Sequence, residues 1–298
     1  MKKKIYLYLT GGMGNQLFQY SAAKQLSIKS NAQLILDNKS GFVTDLRFKR
    51  KFLLNLLNLK DITIKTNFFF YFFRILKKFF FLKKLFYSIF SIKIIDEFYS
   101  FEKFHKSIKN INFKNYLFIL GLFQSEKYFV DNKKSIIKEI YPPYPRNKIF
   151  LKEYTFINNN SVAVCVRTFE DLPNRLSNTV GGFVNYNFYS KAIDIILKKI
   201  KKPNFYFFST KTNNINKLLI NINFLNKFKI KIVTPDEGFY GETDNLWFLS
   251  KFKNIIISNS TFYWWGAYFA CSNFPKTAVI SSNKFPNKDT NLKNWIII

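Results

Sequence analysis

The residues whose types and spacing suggest chemistry fall in three short segments, each between an apolar run and a helical pattern. The first segment is the glycine-rich run Gly11–Gln16, which follows the apolar stretch Ile5–Leu9. Glycines at such a junction let a ligand approach the backbone, and the start of the following helix attracts an anion. The pattern fits a ligand-binding loop and also a tight turn of purely structural use. The candidate binding residues are Gly12, Gly14, Asn15 and Gln16.

Asp37 gives this loop a second interpretation, because it follows the next predicted strand, Leu34–Leu36. An acid at this place binds the ribose in dinucleotide-binding folds, so one alternative function is a nicotinamide-dependent oxidoreductase. Leu17 stands where the dinucleotide fingerprint has its third glycine, and no Gly-Lys-Ser/Thr run of an ATPase phosphate loop follows. The missing glycine counts against the oxidoreductase, which also leaves the third segment unexplained.

The second segment is a predicted buried strand, Val162–Val166, that leads into a charged loop. Ligands bind at the carboxyl ends of parallel strands, and the forked, permanently charged guanidinium of Arg167 suits a diphosphate. The alternative is an ion pair between Arg167 and Glu170 or Asp171. Cys165 is not expected to act as a nucleophile, because the single histidine of the chain lies outside any Cys–His context.

The third segment, Ser258–Thr261, follows the predicted strand Asn254–Ile257 and precedes the predicted helix Thr261–Ala270. Ser260 or Thr261 can cap that helix, and the amides at its start can meet a phosphate. Capping alone is the simpler alternative. Trp264 and Trp265 are expected to pack and to fix this turn.

Alternating strands and helices must position these segments, which predicts doubly wound α/β domains. The proline-rich run Tyr141–Pro145 cannot continue a helix or a central strand, so we predict domains 1–150 and 151–298. Besides the elements already named, the predicted helices are Asn15–Lys29, Asn187–Ile200 and Asp244–Leu249, and the predicted strands are Asn204–Phe208, Ile230–Val233 and Ala278–Ile280.

The amino-acid composition limits the kinds of binding partner and the cellular compartment that we expect. The net charge of +29 attracts anions, although the Lys, Asn, Ile and Phe bias of an AT-rich genome would also raise it. No nucleic-acid-binding signature accompanies the charge, so no nucleic-acid partner is expected. Two cysteines cannot form a disulfide framework, and the apolar run after the basic start is too short for a signal peptide. We therefore expect a cytoplasmic protein.

Residues 67–104 form a predicted insert that is rich in phenylalanine and lysine. One interpretation is a segment that lies on the anionic inner face of the membrane; the other is a helical pair whose phenylalanines belong to the core. No stretch reaches the ~20 apolar residues of a spanning helix. The basic residues that support the membrane interpretation are Arg74, Lys77, Lys78, Lys83 and Lys84.

Three motifs together carry a resemblance to a known family. Residues 11–20 look like the opening signature of glycosyltransferase family 11, the bacterial α-1,2-fucosyltransferases. Gly121–Gln124 is similar to the Gly-Tyr-Phe-Gln segment of that family, and Asp244–Ala267 resembles its Ser-Asn-Ser-Thr block. The matches follow the order of the family. One departure is Cys165-Val166-Arg167-Thr168, where the family carries His-x-Arg-Arg.

The resemblance implies a GT-B-like fold, with two Rossmann-like domains that face each other across a cleft. The N-terminal half would hold an oligosaccharide or lipid-linked glycan acceptor, and the C-terminal half a nucleotide sugar. The implied reaction is inverting transfer of L-fucose from GDP-fucose to a galactoside, with an α-1,2 linkage, in O-antigen, capsule or lipooligosaccharide synthesis. The alternatives are another nucleotide sugar on the same fold and a non-catalytic protein of the membrane surface.

The resemblance also implies residue roles. Arg167, Ser260 and Thr261 would stabilise the leaving diphosphate, and Glu170 or Asp171 would take the proton of the acceptor hydroxyl. No metal or other cofactor is expected, because no Asp-x-Asp is present and arginine with helix amides can neutralise a diphosphate. The further donor-binding residues would be Cys165, Asp236, Asp244 and Asn259.

Overall fold

A computed structural model describes residues 2–43, 45–46, 48–67, 70, 91–167 and 184–298. The chain divides into two compact units, Met1–Ile140 with Asn287–Thr290, and Tyr141–Pro286 with Asn291–Ile298. The division lies ten residues before the position that the proline-rich run suggested. The reason is the short helix around Phe150, whose ring packs 5.1 Å from Phe239 and 5.5 Å from Phe248 in the second unit.

The first unit is built on a five-stranded sheet in which every pairing is parallel. The strand order is β3-β2-β1-β5-β4. The strands are β1 Lys4–Tyr8, β2 Gln33–Asp37, β3 Ile62–Ile64, β4 Ile92–Asp96 and β5 Tyr116–Leu120, and the helices are α1 Met13–Ser30, α2 Lys106–Lys109 and α3 Lys133–Ile140.

The central strand β1 is where the connections of this sheet diverge. Strand β2 pairs with one edge of β1 and β5 with the other, in registers that include Tyr8 with Asp37 and Leu7 with Ile119. Ile5 and Leu7 share one face of β1 and are fully buried, whereas Tyr6 on the other face is only partly buried. A crevice forms outside the carboxyl ends of the strands at such a switch point.

The described part of the predicted insert belongs to this sheet. Strand β4 pairs with β5 along its whole length, from Ile92 with Tyr116 to Asp96 with Leu120. Phe70 is buried and its ring lies 5.2 Å from that of Tyr8, so this phenylalanine is a core residue. The five basic residues from Arg74 to Lys84 lie outside the described residues.

The second unit is built on a six-stranded sheet, again with only parallel pairings, in the order β11-β10-β9-β6-β7-β8. Its switch point is β6, which lies between β9 and β7. The strands are β6 Ser161–Cys165, β7 Asn204–Phe208, β8 Lys229–Val233, β9 Asn254–Ile257, β10 Ala278–Ser281 and β11 Ile296–Ile297, and the helices are α4 Lys148–Tyr154, α5 Tyr186–Leu197, α6 Thr212–Asn221, α7 Glu242–Leu249 and α8 Thr261–Asn273.

Helix α8 packs through its aromatic residues. Trp264 and Trp265 are fully buried with ring centroids 5.0 Å apart, which is the packing role expected of them. In the part of the chain that the structure describes, no helix is both long enough and apolar enough to cross a bilayer.

The segment Asn287–Thr290, here called the strap, belongs to the first unit although the residues on either side of it belong to the second. It is tied to the loops that follow β4 and β5, and Lys127 forms an ion pair with Asp289. The other hydrogen bonds are Asn287 Nδ2 to Phe101 O (2.6 Å), Lys288 N to Glu102 O (2.9 Å), Phe104 N to Asp289 Oδ2 (2.9 Å), Ser125 Oγ to Asp289 O (2.8 Å) and Thr290 Oγ1 to Gln124 O (2.7 Å).

Candidate functional site

The second and third sequence segments meet at the carboxyl edge of the second sheet. Strands β6 and β9 are neighbours, and Cys165 is in register with Ile257. The amide of Ser258 donates to the Cys165 carbonyl at 3.4 Å, one residue past the end of β9. Arg167 and the segment Ser258–Thr261 therefore leave adjacent strands at the same edge.

Buried groups support Arg167. Its amide donates to the Tyr189 hydroxyl at 3.3 Å, and its side chain is half-exposed. Burial raises the pKa of Tyr189, so this hydroxyl stays protonated. Burial also raises the pKa of the Cys165 thiol well above its ordinary value of 9.0, which suits a packed thiol and not a nucleophile. Contact of Cys165 with a nucleotide stays a prediction.

The side chain of Ser260 does not cap the start of helix α8. Ser260 is the N-cap residue, and its side chain makes no capping hydrogen bond, while its carbonyl accepts from the Trp264 amide at 2.9 Å. The first amides of a helix have no partner within the helix, and such an end attracts phosphate. The interpretation of Ser260 as a simple cap therefore loses support.

Asp236 and Asp244 are both bonded to backbone amides. Asp236 Oδ2 accepts from the Thr212 amide at 2.9 Å, at the start of α6, and this aspartate is exposed. Asp244 is buried, and its Oδ2 accepts from the amides of Arg146 and Asn147 at 3.0 and 2.8 Å. Contacts of either carboxylate with guanine or ribose stay predictions.

The remaining predicted donor and catalytic residues are only partly described. Asn259 is buried beside the β9 end, and its Nδ2 donates to the Lys284 carbonyl at 3.3 Å. Glu170 and Asp171 lie outside the described residues. Over the described ranges, no group of three or more His, Cys, Asp and Glu side chains gathers as a metal site would require.

The first unit has a pocket of about 680 Å³ at the carboxyl ends of β1, β4 and β5. The glycine loop forms one of its walls. Its lining combines backbone, aromatic rings and charged side chains from Tyr8, Thr10, Gly11, Gly12, Asn15, Gly41, Asp45, Phe48, Arg50, Asp96, Phe98, Tyr99 and Leu120.

The predicted loop residues divide into pocket walls and supports. Gly12 and Asn15 line the pocket, and Asn15 Oδ1 accepts from Gln124 Nε2 at 3.1 Å. Gln16 is fully buried and clamps the loop: its Nε2 donates to the carbonyls of Gly11 and Lys51 at 2.9 Å each. Gly14 is a buried residue of α1. A ligand contact by any of them stays a prediction.

The carboxylate of Asp37 is occupied by hydrogen bonds from the loops after β2 and β3. Its carboxylate accepts from the amides of Lys39 (2.9 Å), Ser40 (2.7 Å) and Asn67 (2.9 Å), and from the Ser40 hydroxyl at 2.7 Å. Only 1% of the residue is exposed. A ribose-binding carboxylate needs acceptor positions that face a ligand, so the oxidoreductase alternative loses its acidic residue.

Sequence reasoning missed the charged residues of this pocket, Asp45, Arg50 and Asp96. Asp96 carried a signal, because it follows the mostly apolar run Ile92–Ile95, which Lys93 interrupts, as an acid at a strand end should. The aromatic composition around that run hid the strand. Glu97, the next residue, is buried and accepts from the Leu122 amide at 2.7 Å; burial raises its pKa, although the hydrogen bonds it accepts oppose that shift.

Two curated relatives are similar to the chain over most of its length. An α-1,2-colitosyltransferase from Escherichia coli is 28% identical, over 87% of this chain and 85% of its own. The O-antigen biosynthesis glycosyltransferase WbnK from Escherichia coli is 25% identical, over 94% of both chains. No protein-family model matches the chain. The relatives support glycosyltransferase activity, and membership of glycosyltransferase family 11 stays a prediction.

A solved structure gives the fold. A mutant of Arabidopsis thaliana FUT1 in complex with GDP matches with a TM-score of 0.50 at 10% identity, over 94% of this chain and 70% of that one. At this identity the match shows the fold alone. With the two parallel sheets, it confirms an α/β chain with two Rossmann-like domains, as in GT-B glycosyltransferases.

Proposed function

We propose that this chain is an inverting α-1,2-glycosyltransferase that moves L-fucose from GDP-fucose to a galactoside during surface polysaccharide synthesis. The observation that carries the proposal is the similarity to an α-1,2-glycosyltransferase over 87% of the chain. The O-antigen relative supports the polysaccharide context, meaning an O-antigen, a capsule or a lipooligosaccharide.

In the proposed reaction the acceptor hydroxyl oxygen forms a bond to the anomeric carbon, and the bond from that carbon to the diphosphate breaks. The diphosphate leaves with the bonding pair and gains negative charge. Arg167, with Ser260 and Thr261 at the start of α8, would stabilise this charge. Prepositioned donors of this kind favour the transition state over the bound donor, because the extra charge is absent from the donor and develops as the bond breaks. Supporting features are the adjacent strand ends of β6 and β9 and the start of α8, which the Ser260 side chain does not cap.

The proton of the attacking hydroxyl must go to a base. Glu170 or Asp171 would accept it, since both follow Arg167 in the chain. We propose that no metal ion takes part, because the guanidinium and the helix amides supply the positive charge that a divalent ion would otherwise bring.

The name of one relative specifies colitose, and this favours a second candidate. The reaction would be the same with GDP-colitose as the donor. Colitose is L-fucose without the 3-hydroxyl, so a donor site for one sugar differs from that for the other by the groups that meet a single hydroxyl.

The experiment is a donor screen on the purified chain. We expect GDP to raise the melting temperature and NAD to have no effect, and we expect transfer from GDP-fucose or GDP-colitose to a galactoside with an α-1,2-linked product. Transfer should persist in excess EDTA. Stabilisation by NAD and not by GDP would refute the proposal, and loss of transfer in EDTA with recovery in manganese would refute its metal-free part.

We also propose that the enzyme works on lipid-linked acceptors at the inner face of the membrane. The support is the composition of residues 67–104, with five basic residues worth ~1 kcal/mol each near an anionic surface. The chain should sediment with anionic vesicles at low salt and be released at high salt. Glutamine at all five basic positions should abolish sedimentation and leave transfer to a soluble acceptor intact. Failure of the wild-type protein to sediment with anionic vesicles at low salt would refute the proposed membrane association.

A further inference from the structure

The pocket of the first unit has the two kinds of wall that a carbohydrate needs. The rings of Tyr8, Phe48, Phe98 and Tyr99 line it, and so do the polar side chains of Asn15, Asp45, Arg50 and Asp96. Sites for small ligands combine apolar or aromatic walls with a few placed polar groups. A pyranose matches this mixture, because it has faces of C–H groups and a rim of hydroxyls.

We infer that this pocket binds an uncharged pyranose residue of the acceptor glycan, with Tyr99 stacked on its apolar face and Asp96 accepting a hydrogen bond from one of its hydroxyls. The inference rests on the proposed function only where it assigns the bound sugar to the acceptor.

Tyr99 supplies the stacking surface. It follows the end of β4 and is 78% exposed, which leaves a large aromatic ring in water at the mouth of the pocket. Covering such a ring with C–H groups recovers hydrophobic free energy. Phe48, on the loop after β2, is a second partly exposed ring of the same pocket, with 38% of the residue exposed.

Asp96 supplies the polar contact. Its Oδ1 accepts from the Phe98 amide at 3.3 Å, which fixes the orientation of the carboxylate. An ionised carboxylate has about four acceptor positions, so it can also accept from sugar hydroxyls. Asp45, on the loop after β2, is held in the same way by the amides of Phe48 (3.0 Å) and Arg50 (3.2 Å).

The charges of the pocket favour an uncharged sugar. Among the residues that the structure describes, its lining has two carboxylates and one guanidinium. A uronic acid would bring a third carboxylate close to Asp45 and Asp96, and like charges at short range repel in a site of reduced dielectric.

The neighbouring residue Glu97 holds this arrangement rigid. Its Oε2 accepts from the amides of Leu122 and Phe123 at 2.7 and 3.0 Å, so the end of β4 is tied to the loop after β5. Asp96 and Tyr99 lie on either side of this tie. Groups that recognise a ligand bind it best when the surrounding structure fixes them beforehand.

The test uses the full chain and two sugars that differ only at C6, methyl β-galactoside and methyl β-galacturonoside. Saturation-transfer NMR should show binding of the neutral sugar, with the strongest transfer to the protons of one ring face, and little for the uronide. Tyr99→Ala should raise the KM for a galactoside acceptor roughly tenfold with little change in kcat, while Tyr99→Phe stays near wild type. Tyr144→Ala, a change at a tyrosine of the second unit that is 70% exposed, should have no effect.

Asp96→Asn is the second variant, since asparagine keeps the acceptor for the Phe98 amide and removes the charge. It should weaken galactoside binding and reduce the preference over the uronide. The rise in melting temperature with GDP, measured on each variant, separates the proposed glycosyltransferase function from the proposed sugar-binding pocket. Galactoside binding without GDP stabilisation or transfer refutes the proposed function and keeps the pocket. No binding of the galactoside by wild type, or unchanged binding and KM in both Tyr99→Ala and Asp96→Asn, overturns the pocket inference.

Discussion

Gly11 and Gly12 are adjacent residues that differ in their need to be glycine. Gly11 has a φ of +77°, and a Cβ there would lie 2.6 Å from Asn15 Nδ2. Gly12 has a φ of −75°, which any residue adopts, and a Cβ there would meet only the Arg50 guanidinium, at 3.8 Å or more. The backbone therefore requires the first glycine, whereas the second lines the pocket and has no conformational need to be glycine.

We expect Gly11→Ala to lower the free energy of unfolding by about 1–2 kcal/mol, because an alanine is strained in the left-handed region. Gly12→Ala should stay within about 0.5 kcal/mol of wild type, since it adds the same methyl group without strain. Urea denaturation of the two variants is a matched comparison. Equal losses at both positions would contradict the assignment.

Arg167 is the residue on which the leaving-group scheme depends most. Arg167→Ala should lower kcat by roughly 10²–10³, the loss typical of removing one transition-state donor. Arg167→Lys keeps the positive charge but loses the forked guanidinium, so its kcat should lie between those of wild type and Arg167→Ala. Arg146→Ala, a change at an exposed arginine of the same unit, is the control and should leave turnover unchanged. Near-normal turnover in a folded Arg167→Ala protein would remove this residue from the mechanism.

At the scale of elements, Glu97 joins the end of β4 to the loop after β5. Burial is the main cause of its raised pKa, and hydrogen bonds from two amides and from Tyr128 act against it. The folded state therefore binds this proton more tightly than the unfolded state. Its contribution to stability is complete below the ordinary pKa of 4.5 and is lost as the pH rises through the raised value.

Comparison with Glu97→Gln isolates this contribution, because glutamine keeps an acceptor for the Leu122 and Phe123 amides. The stability of wild type relative to the variant should fall as the pH rises from about 4 to about 7. Unfolding free energies at several pH values measure the difference. A difference that is flat, or that grows in favour of wild type with rising pH, would contradict the assigned direction.

Periodicity and turn chemistry predicted the elements of the second unit closely, and those of the first unit only in part. Asn204–Phe208 and Asn254–Ile257 are strands at the predicted bounds. Strands β4 and β5 escaped prediction, because the continuous apolar run of β5 fits a strand and a buried helix equally and Lys93 interrupts the apolar pattern of β4. The order that places β5 between β1 and β4 is a long-range choice that local patterns do not encode.

The same limit applies to the candidate sites. The residues around Arg167 and Ser260 were predicted because each follows a recognisable strand. The pocket was not predicted, because its walls come from four separate stretches of the first unit, between Tyr8 and Leu120, that only the folded sheet brings together. Strand ends can be read from a sequence, whereas a cavity depends on how loops from distant strands meet.

At the scale of the whole molecule, the strap, residues 287–290, is bonded to the first unit, far from it in the sequence. Asp289→Ala removes the acceptor for the Phe104 amide and the ion pair with Lys127. Amide hydrogen exchange should speed up in residues 97–104 and 124–128, because their bonds to the strap weaken. Asp289→Asn, which keeps the amide acceptor, should show a smaller effect. Amide exchange in the sheet of the second unit should not change. Faster exchange there would contradict a local role for Asp289.

The strap also sets how late in translation the first unit can be completed. The ribosome finishes residues 1–140 early, but their partners at 287–290 emerge only after almost all of the second unit has been made. Until then the carbonyls of Phe101, Glu102 and Gln124 have no strap to accept from. Because residues 291–298 of the second unit emerge after the strap, both units reach their native bonding only when synthesis is nearly complete, and a nascent chain stalled before residue 287 would expose an unfinished N-terminal domain to chaperones and proteases.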